Sequence, residues 1–180
     1  VVDEVTTGDH RFSYGEIEAV LKNLLEEQVS IRNMVVILET LGDYGKLTRD
    51  PWTLTEKVRE ALGAQICQQY ADENKVLHVL NLSQSLAQKI LDHRADMPGK
   101  GPIVAFDPVD ARNYISTMSN AVAAVRERNY LPIILCPSEV RRLVKSSTEL
   151  EMPGIIVLSI NEVMAASPNI KVESLGEING

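Results

Sequence analysis

Between Asp72 and Lys75 the hydrophobic period of the chain changes, and that change constrains the fold more than any single motif. Before it, apolar residues recur at helical spacing. After it, short continuous apolar runs alternate with helical stretches. A chain that reads this way packs helical stripes against one another first and then covers a sheet. The expected organisation is a helical unit over residues 1–72 and an α/β unit over residues 73–180. The fold class is therefore mixed α+β and α/β, a helical subdomain followed by a small α/β sandwich with a mainly parallel sheet.

Three amphipathic helices are predicted in the first part. Ser13 and Glu16 fit a capping box, and Ile17, Val20, Leu21, Leu24 and Leu25 follow the i, i+3, i+4, i+7, i+8 pattern. Ser30 is expected to cap a second helix carrying Ile31, Met34, Val35, Leu38 and Leu41, with Gly42 and Gly45 weakening its end. A third helix starts either at Asp50 with Pro51 in its first position, or at Thr53 with Glu56 as a second capping box. Its stripe is Leu54, Val58, Ala61, Leu62 and Ile66.

In the second part Val76–Leu82 reads as a strand followed by a helix capped by Ser83. Met97–Pro102 reads as a loop, Ile103–Phe106 as a short buried strand, and Asp107-Pro108 as the start of a long helix. Pro132–Cys136, Ile155–Leu158 and Lys171–Leu175 supply further strands. Continuous apolar strands separated by helices predict parallel pairing and a sheet covered on both faces.

The formal net charge of -7 excludes a large nucleic-acid footprint, which needs an excess of Lys and Arg. No apolar run approaches the roughly 20 residues of a membrane-spanning helix. Cys67 and Cys136 are far apart, without ligand-like spacing, and a reduced setting is expected for them. The chain starts at Val1 in mid-pattern and is expected to be a piece of a longer protein.

Asp107 follows a strand, with Asp110 three residues on, so an α/β enzyme or phosphoacceptor centred on Asp107 is one reading; a helix cap is the better one. Pro98-Gly99-Lys100-Gly101-Pro102 lacks the pattern and context of a phosphate loop. His10, His78 and His93 have no metal-ligand spacing, and Ser159 lacks a nucleophile elbow and reads as a cap. The expectation is no enzyme, with no catalytic residue, metal or cofactor. Arg141, Arg142 and Lys145 cluster on one helix, where a solvated face is expected and an acidic partner segment is the alternative.

Two segments, LLEEQVSIRNMVVILETLGDYG and TRDPWTLTEKVREALGAQIC, resemble the FlhA/SctV export-gate family of flagellar and type III secretion systems, also called LcrD/InvA or FHIPEP. The similarity continues through LPIILCPSEVRRLV and IIVLSINEV, and so covers the chain from about Phe12 onward. It implies the third and fourth cytoplasmic subdomains of an inner-membrane protein whose cytoplasmic part forms a ring, typically nonameric. The implied partners are other copies of the protein in that ring, further export-apparatus components, and export substrates and chaperones that dock mainly on subdomains outside this chain. The implied location is the cytoplasmic face of the bacterial inner membrane. The DYG and TRDP pieces favour the flagellar branch, while Asn33 is more typical of the virulence branch. Arg32, Glu39, Glu56 and Arg59 are the subunit-contact candidates that the resemblance implies, with bracing inside one subunit as the alternative.

Overall fold

The computed structural model describes residues 12–180. Helix α1, Tyr14–Glu26, opens on the predicted capping box: Ser13 Oγ accepts from the Glu16 amide at 3.1 Å, and Glu16 Oε1 accepts from the Ser13 amide at 2.9 Å. It buries Ile17, Val20 and Leu24. Its end is a Schellman turn. Gln28 takes a left-handed φ of 62°, and the amides of Val29 and Gln28 return to the carbonyls of Leu24 and Leu25, each at 3.0 Å. That turn fixes Glu27 at the C-cap, at the negative end of the helix dipole.

Helix α2, Met34–Tyr44, starts later than predicted. Ser30 Oγ accepts from the Arg32 amide at 3.3 Å, a local turn that competes with helix, and Asn33 is the cap instead. Helix α3, Pro51–Ala61, uses the Asp50 alternative: Asp50 Oδ2 accepts from both the amide and the hydroxyl of Thr53, at 3.0 and 2.7 Å. The predicted stripe through Ile66 is cut at Leu62, and Gly63–Tyr70 forms a separate helix α4.

Strand β1, Val76–Leu82, and helix α5, Gln84–Asp92, follow as predicted, with Ser83 as the cap. The next segment departs from expectation. Strands β2, Arg94–Met97, and β3, Gly101–Val104, pair antiparallel as a hairpin of their own rather than joining the main sheet. Gly101, at φ +76°, sits directly under the Trp52 ring, where a side chain would have no room. The hairpin thus meets α3 through Trp52, while its main packing is against residues 138–148, where Ser146 Oγ donates to the Pro102 carbonyl at 3.1 Å.

Helix α6, Pro108–Glu127, strand β4, Ile133–Cys136, helix α7, Ser138–Thr148, strand β5, Ile156–Ser159, helix α8, Ile160–Ala166, and strand β6, Lys171–Ile178, complete the chain. The main sheet has the order β5-β4-β1-β6 and every pairing is parallel, in agreement with the sequence pattern. Leu77, Val79, Ile133 and Leu158 face the helices α1–α4, in one core with Val20, Leu24, Ile37, Val58 and Ile66. Leu80, Ile134, Cys136 and Val157 face the opposite way, against Met118, Val122, Leu143 and Val144 of α6 and α7. Each such aliphatic side chain contributes about 1.5–3 kcal/mol on burial. The first core runs without a break from the helices onto the sheet.

Candidate functional site

The most unusual feature of the described residues is a buried charge network on the outer edge of β5. Its members come from four helices. Glu27 lies at the end of α1, Glu56 and Arg59 on α3, Arg141 and Arg142 on α7, and Glu162 on α8. Arg141 is fully buried, and its five N–H groups are all engaged. Nε and Nη2 donate to Glu56 at 2.7 and 2.8 Å, Nη1 and Nη2 to Glu27 at 2.9 and 2.8 Å, and Nη1 also to the Val157 carbonyl at 3.1 Å. The planar fork of arginine suits such bidentate pairing, and a lysine has no equivalent.

Arg59 is buried beside it. Its Nε donates to Glu162 Oε2 at 2.6 Å, and its Nη2 to Glu162 Oε1 at 3.2 Å and the Val157 carbonyl at 3.4 Å. Glu162 also closes a capping box, accepting from the Ser159 amide at 3.0 Å while Ser159 Oγ accepts from the Glu162 amide at 3.1 Å. Gly63 makes this geometry possible, because a methyl group there would collide with the Glu162 carbonyl. Arg142 donates to Glu27 at 3.1 Å and lies 4.7 Å over the Trp52 ring.

The network seals a strand edge. Residues 155, 157 and 159 present their backbone groups away from β4; the Ile155 amide returns to the Met152 carbonyl at 3.0 Å, and three other groups meet side chains. Lys145 Nζ donates to the Ile155 carbonyl at 2.7 Å, both arginines donate to the Val157 carbonyl, and Glu162 takes the Ser159 amide. Burial pushes the Glu27 carboxyl up, yet the charges of Arg141, Arg59 and Arg142 outweigh it and hold the group well below the carboxylate range. Burial opposes the charge on both arginines, and Arg141 adds to that at Arg59; their carboxylates prevail and keep both protonated.

The four subunit-contact candidates divide accordingly. Arg32 and Glu39 are exposed, Arg32 in the turn before α2 and Glu39 on that helix. Glu56 and Arg59 turn inward, pairing with Arg141 and Glu162 rather than with each other. The expected solvated face of α7 is not solvated: Arg141 and Lys145 are buried and Arg142 nearly so, the acidic residues that receive the two arginines belong to the same chain, and Lys145 donates to the Ile155 carbonyl. No sequence signal pairs residues 85 or more positions apart. The nearest sequence signal is the basic cluster Arg141, Arg142 and Lys145 on one helix.

The catalytic candidates have structural roles. Asp107 Oδ1 accepts from the Asp110 amide at 2.8 Å, and that bond lowers its carboxyl pKa. Burial pushes the Cys67 thiol up to about 12 and the Cys136 thiol higher still. His78 pairs with Asp72 at 2.8 Å and His93 Nδ1 with the Lys89 carbonyl at 2.8 Å, while His10 lies outside the described residues. No described helix is long and apolar enough to cross a membrane.

The chain belongs to the FHIPEP family, whose family model matches residues 1–167. Among its relatives, the flagellar biosynthesis protein FlhA of Borreliella burgdorferi is 38% identical over 175 residues, covering 97% of this chain and 24% of the relative. The Chlamydia pneumoniae CdsV protein has the same fold, with a TM-score of 0.83 at 27% identity, over 98% of this chain and 49% of that one. The nonameric EscV cytosolic domain from the type III secretion system superposes with a TM-score of 0.77 at 27% identity, over 92% of this chain and 48% of that one. The chain therefore spans about a quarter of the length of its curated relative and about half of the solved chains.

Proposed function

We propose that this chain is part of the cytoplasmic region of a type III protein-export gate, of the flagellar branch, and that it contributes to ring assembly and to the handling of export substrates and their chaperones. The observation that carries this reading is 38% identity with a flagellar FlhA over nearly the whole chain, beside a fold shared with a nonameric EscV cytosolic domain at 27% identity. The injectisome branch is the runner-up on the same numbers. Its location would be the cytoplasmic face of the bacterial inner membrane. The division at residues 72 and 73 would correspond to the third and fourth cytoplasmic subdomains of the family.

Within that reading Arg32 and Glu39 are the direct subunit-contact candidates, because both are exposed and neither has an ion-pair partner among the described residues. Glu56 and Arg59 act one step back, holding α3 against α7 and α8 so that the helical surface keeps its shape. The test is charge reversal of Arg32 and Glu39 in the full-length protein. Loss of ring assembly and export, with the folded state intact by circular dichroism, is the expected outcome. Unchanged assembly and export after both reversals rejects them as contacts.

A further inference from the structure

Beside the charge network lies a cavity of about 310 Å³, between the end of α1, α4 and the start of β5. Two buried cations line it, Arg59 at 3% and Lys145 at 9% exposure. Both hold hydrogen-bonding capacity that no described residue uses. Arg59 Nη1 donates no hydrogen bond to a described residue, and Glu27 Oε1 stands 3.9 Å from it. Lys145 Nζ makes one hydrogen bond, to the Ile155 carbonyl, and has no carboxylate within 4 Å among the described residues.

The charge count around the cavity is unbalanced. Arg59, Arg141, Arg142 and Lys145 give four positive charges, against three negative charges from Glu27, Glu56 and Glu162. Glu26, on the cavity rim, and Glu149, 3.9 Å from Arg142, are exposed and solvated. Among the described residues one buried positive charge therefore has no buried counterion, an arrangement that costs free energy unless an anion supplies it. Ile66 and Ile155 give the cavity apolar walls, and Tyr70 brings a hydroxyl.

We propose that this cavity binds a single carboxylate, held between Arg59 Nη1 and Lys145 Nζ, with its aliphatic stem against Ile66 and Ile155. A monoanion balances the surplus charge, and charge-assisted hydrogen bonds satisfy both unused donors. Burial holds the Lys145 ammonium pKa below its ordinary value, and a bound carboxylate raises it again. The carboxylate comes either from a free small acid or from an acidic side chain of a protein partner. This inference stands apart from the export-gate reading.

The test titrates the 180-residue protein with sodium acetate, with acetamide, and with sodium chloride at matched ionic strength, followed by amide NMR. Acetate is expected to give saturable shifts at Gln28, Tyr70, Lys145 and Ile155, and neither acetamide nor chloride to do so. Lys145→Met weakens acetate by at least about tenfold, whereas Lys145→Arg stays within about threefold. N-acetylglutamate methylamide and an amidated peptide with one internal glutamate form the last two arms: tighter peptide binding assigns the carboxylate to a protein partner, and equal binding assigns it to a free acid. No saturable wild-type response to acetate, an equal response to acetamide, or unchanged affinity in a folded Lys145→Met protein overturns the proposal. The comparison of acetate with acetamide needs no variant, so a misfolded Lys145→Met leaves the proposal refutable.

Discussion

The two edges of the main sheet solve the same problem in opposite ways. At β6 the outer edge faces water, Lys171, Glu173 and Glu177 are exposed, and a register shift beside β1 with Gly176 at φ 151° distorts the strand. Solvated charge and a bulge are enough there to discourage pairing with another chain. At β5 the outer edge lies under charged side chains from α1, α3, α7 and α8, which cover most of it. Because they are buried, each needs partners of its own. The buried edge therefore ties α1, α3, α7 and α8 together, whereas the exposed edge ties nothing.

The largest expected effect lies at the β5 edge. Arg141→Ala leaves Glu27, Glu56 and the Val157 carbonyl without their main donor, and about 3–5 kcal/mol of stability is expected to go. Urea unfolding of the variant measures this, and a loss under about 1 kcal/mol means that water enters and replaces the guanidinium. A smaller effect follows from pH. Glu27 has a folded pKa below its unfolded value of about 4.3, so its contribution is full above that value and declines as pH falls below it. The stability advantage of the wild type over Glu27→Gln is accordingly expected to shrink between pH 5 and pH 3, by about 1 kcal/mol or more. A constant difference across that range contradicts the assignment. The smallest effect belongs to β6: Glu173→Gln, at an exposed side chain 3.6 Å from His78, is expected to change stability by less than about 0.5 kcal/mol.

The same contrast explains what the sequence disclosed. The Ser13–Glu16 box, Asp50 before Pro51, Ser83, Asp107 before Pro108, and Ser159 are caps whose partners lie within three residues, so local pattern finds them. Parallel strands were legible because burial on both faces leaves continuous apolar runs. The hairpin Arg94–Val104 escapes the pattern, which shows a loop over Met97–Pro102 and a strand over Ile103–Phe106, because its strands are short and half polar and its turn is dense in Gly and Pro. The break at Leu62 was invisible because it depends on Gly63 meeting Glu162 about a hundred residues on. Arg141 read as solvated for a related reason: a helix face does not reveal what packs on it. Only the acidic partner alternative pointed the right way, and its partners, Glu27 and Glu56, were inside the chain.

A double-mutant cycle on Arg59 and Glu162, residues of α3 and α8 that meet at 2.6 Å, tests most directly whether the network couples the helices to the sheet. Arg59→Met, Glu162→Met and the double variant are unfolded in urea and compared with the wild type. The expected result is a coupling energy of about 1–3 kcal/mol, with the double variant regaining much of what each single variant loses. Additivity within about 0.5 kcal/mol would mean that the two groups act independently, and that the sealed edge is not what holds the helices to the sheet.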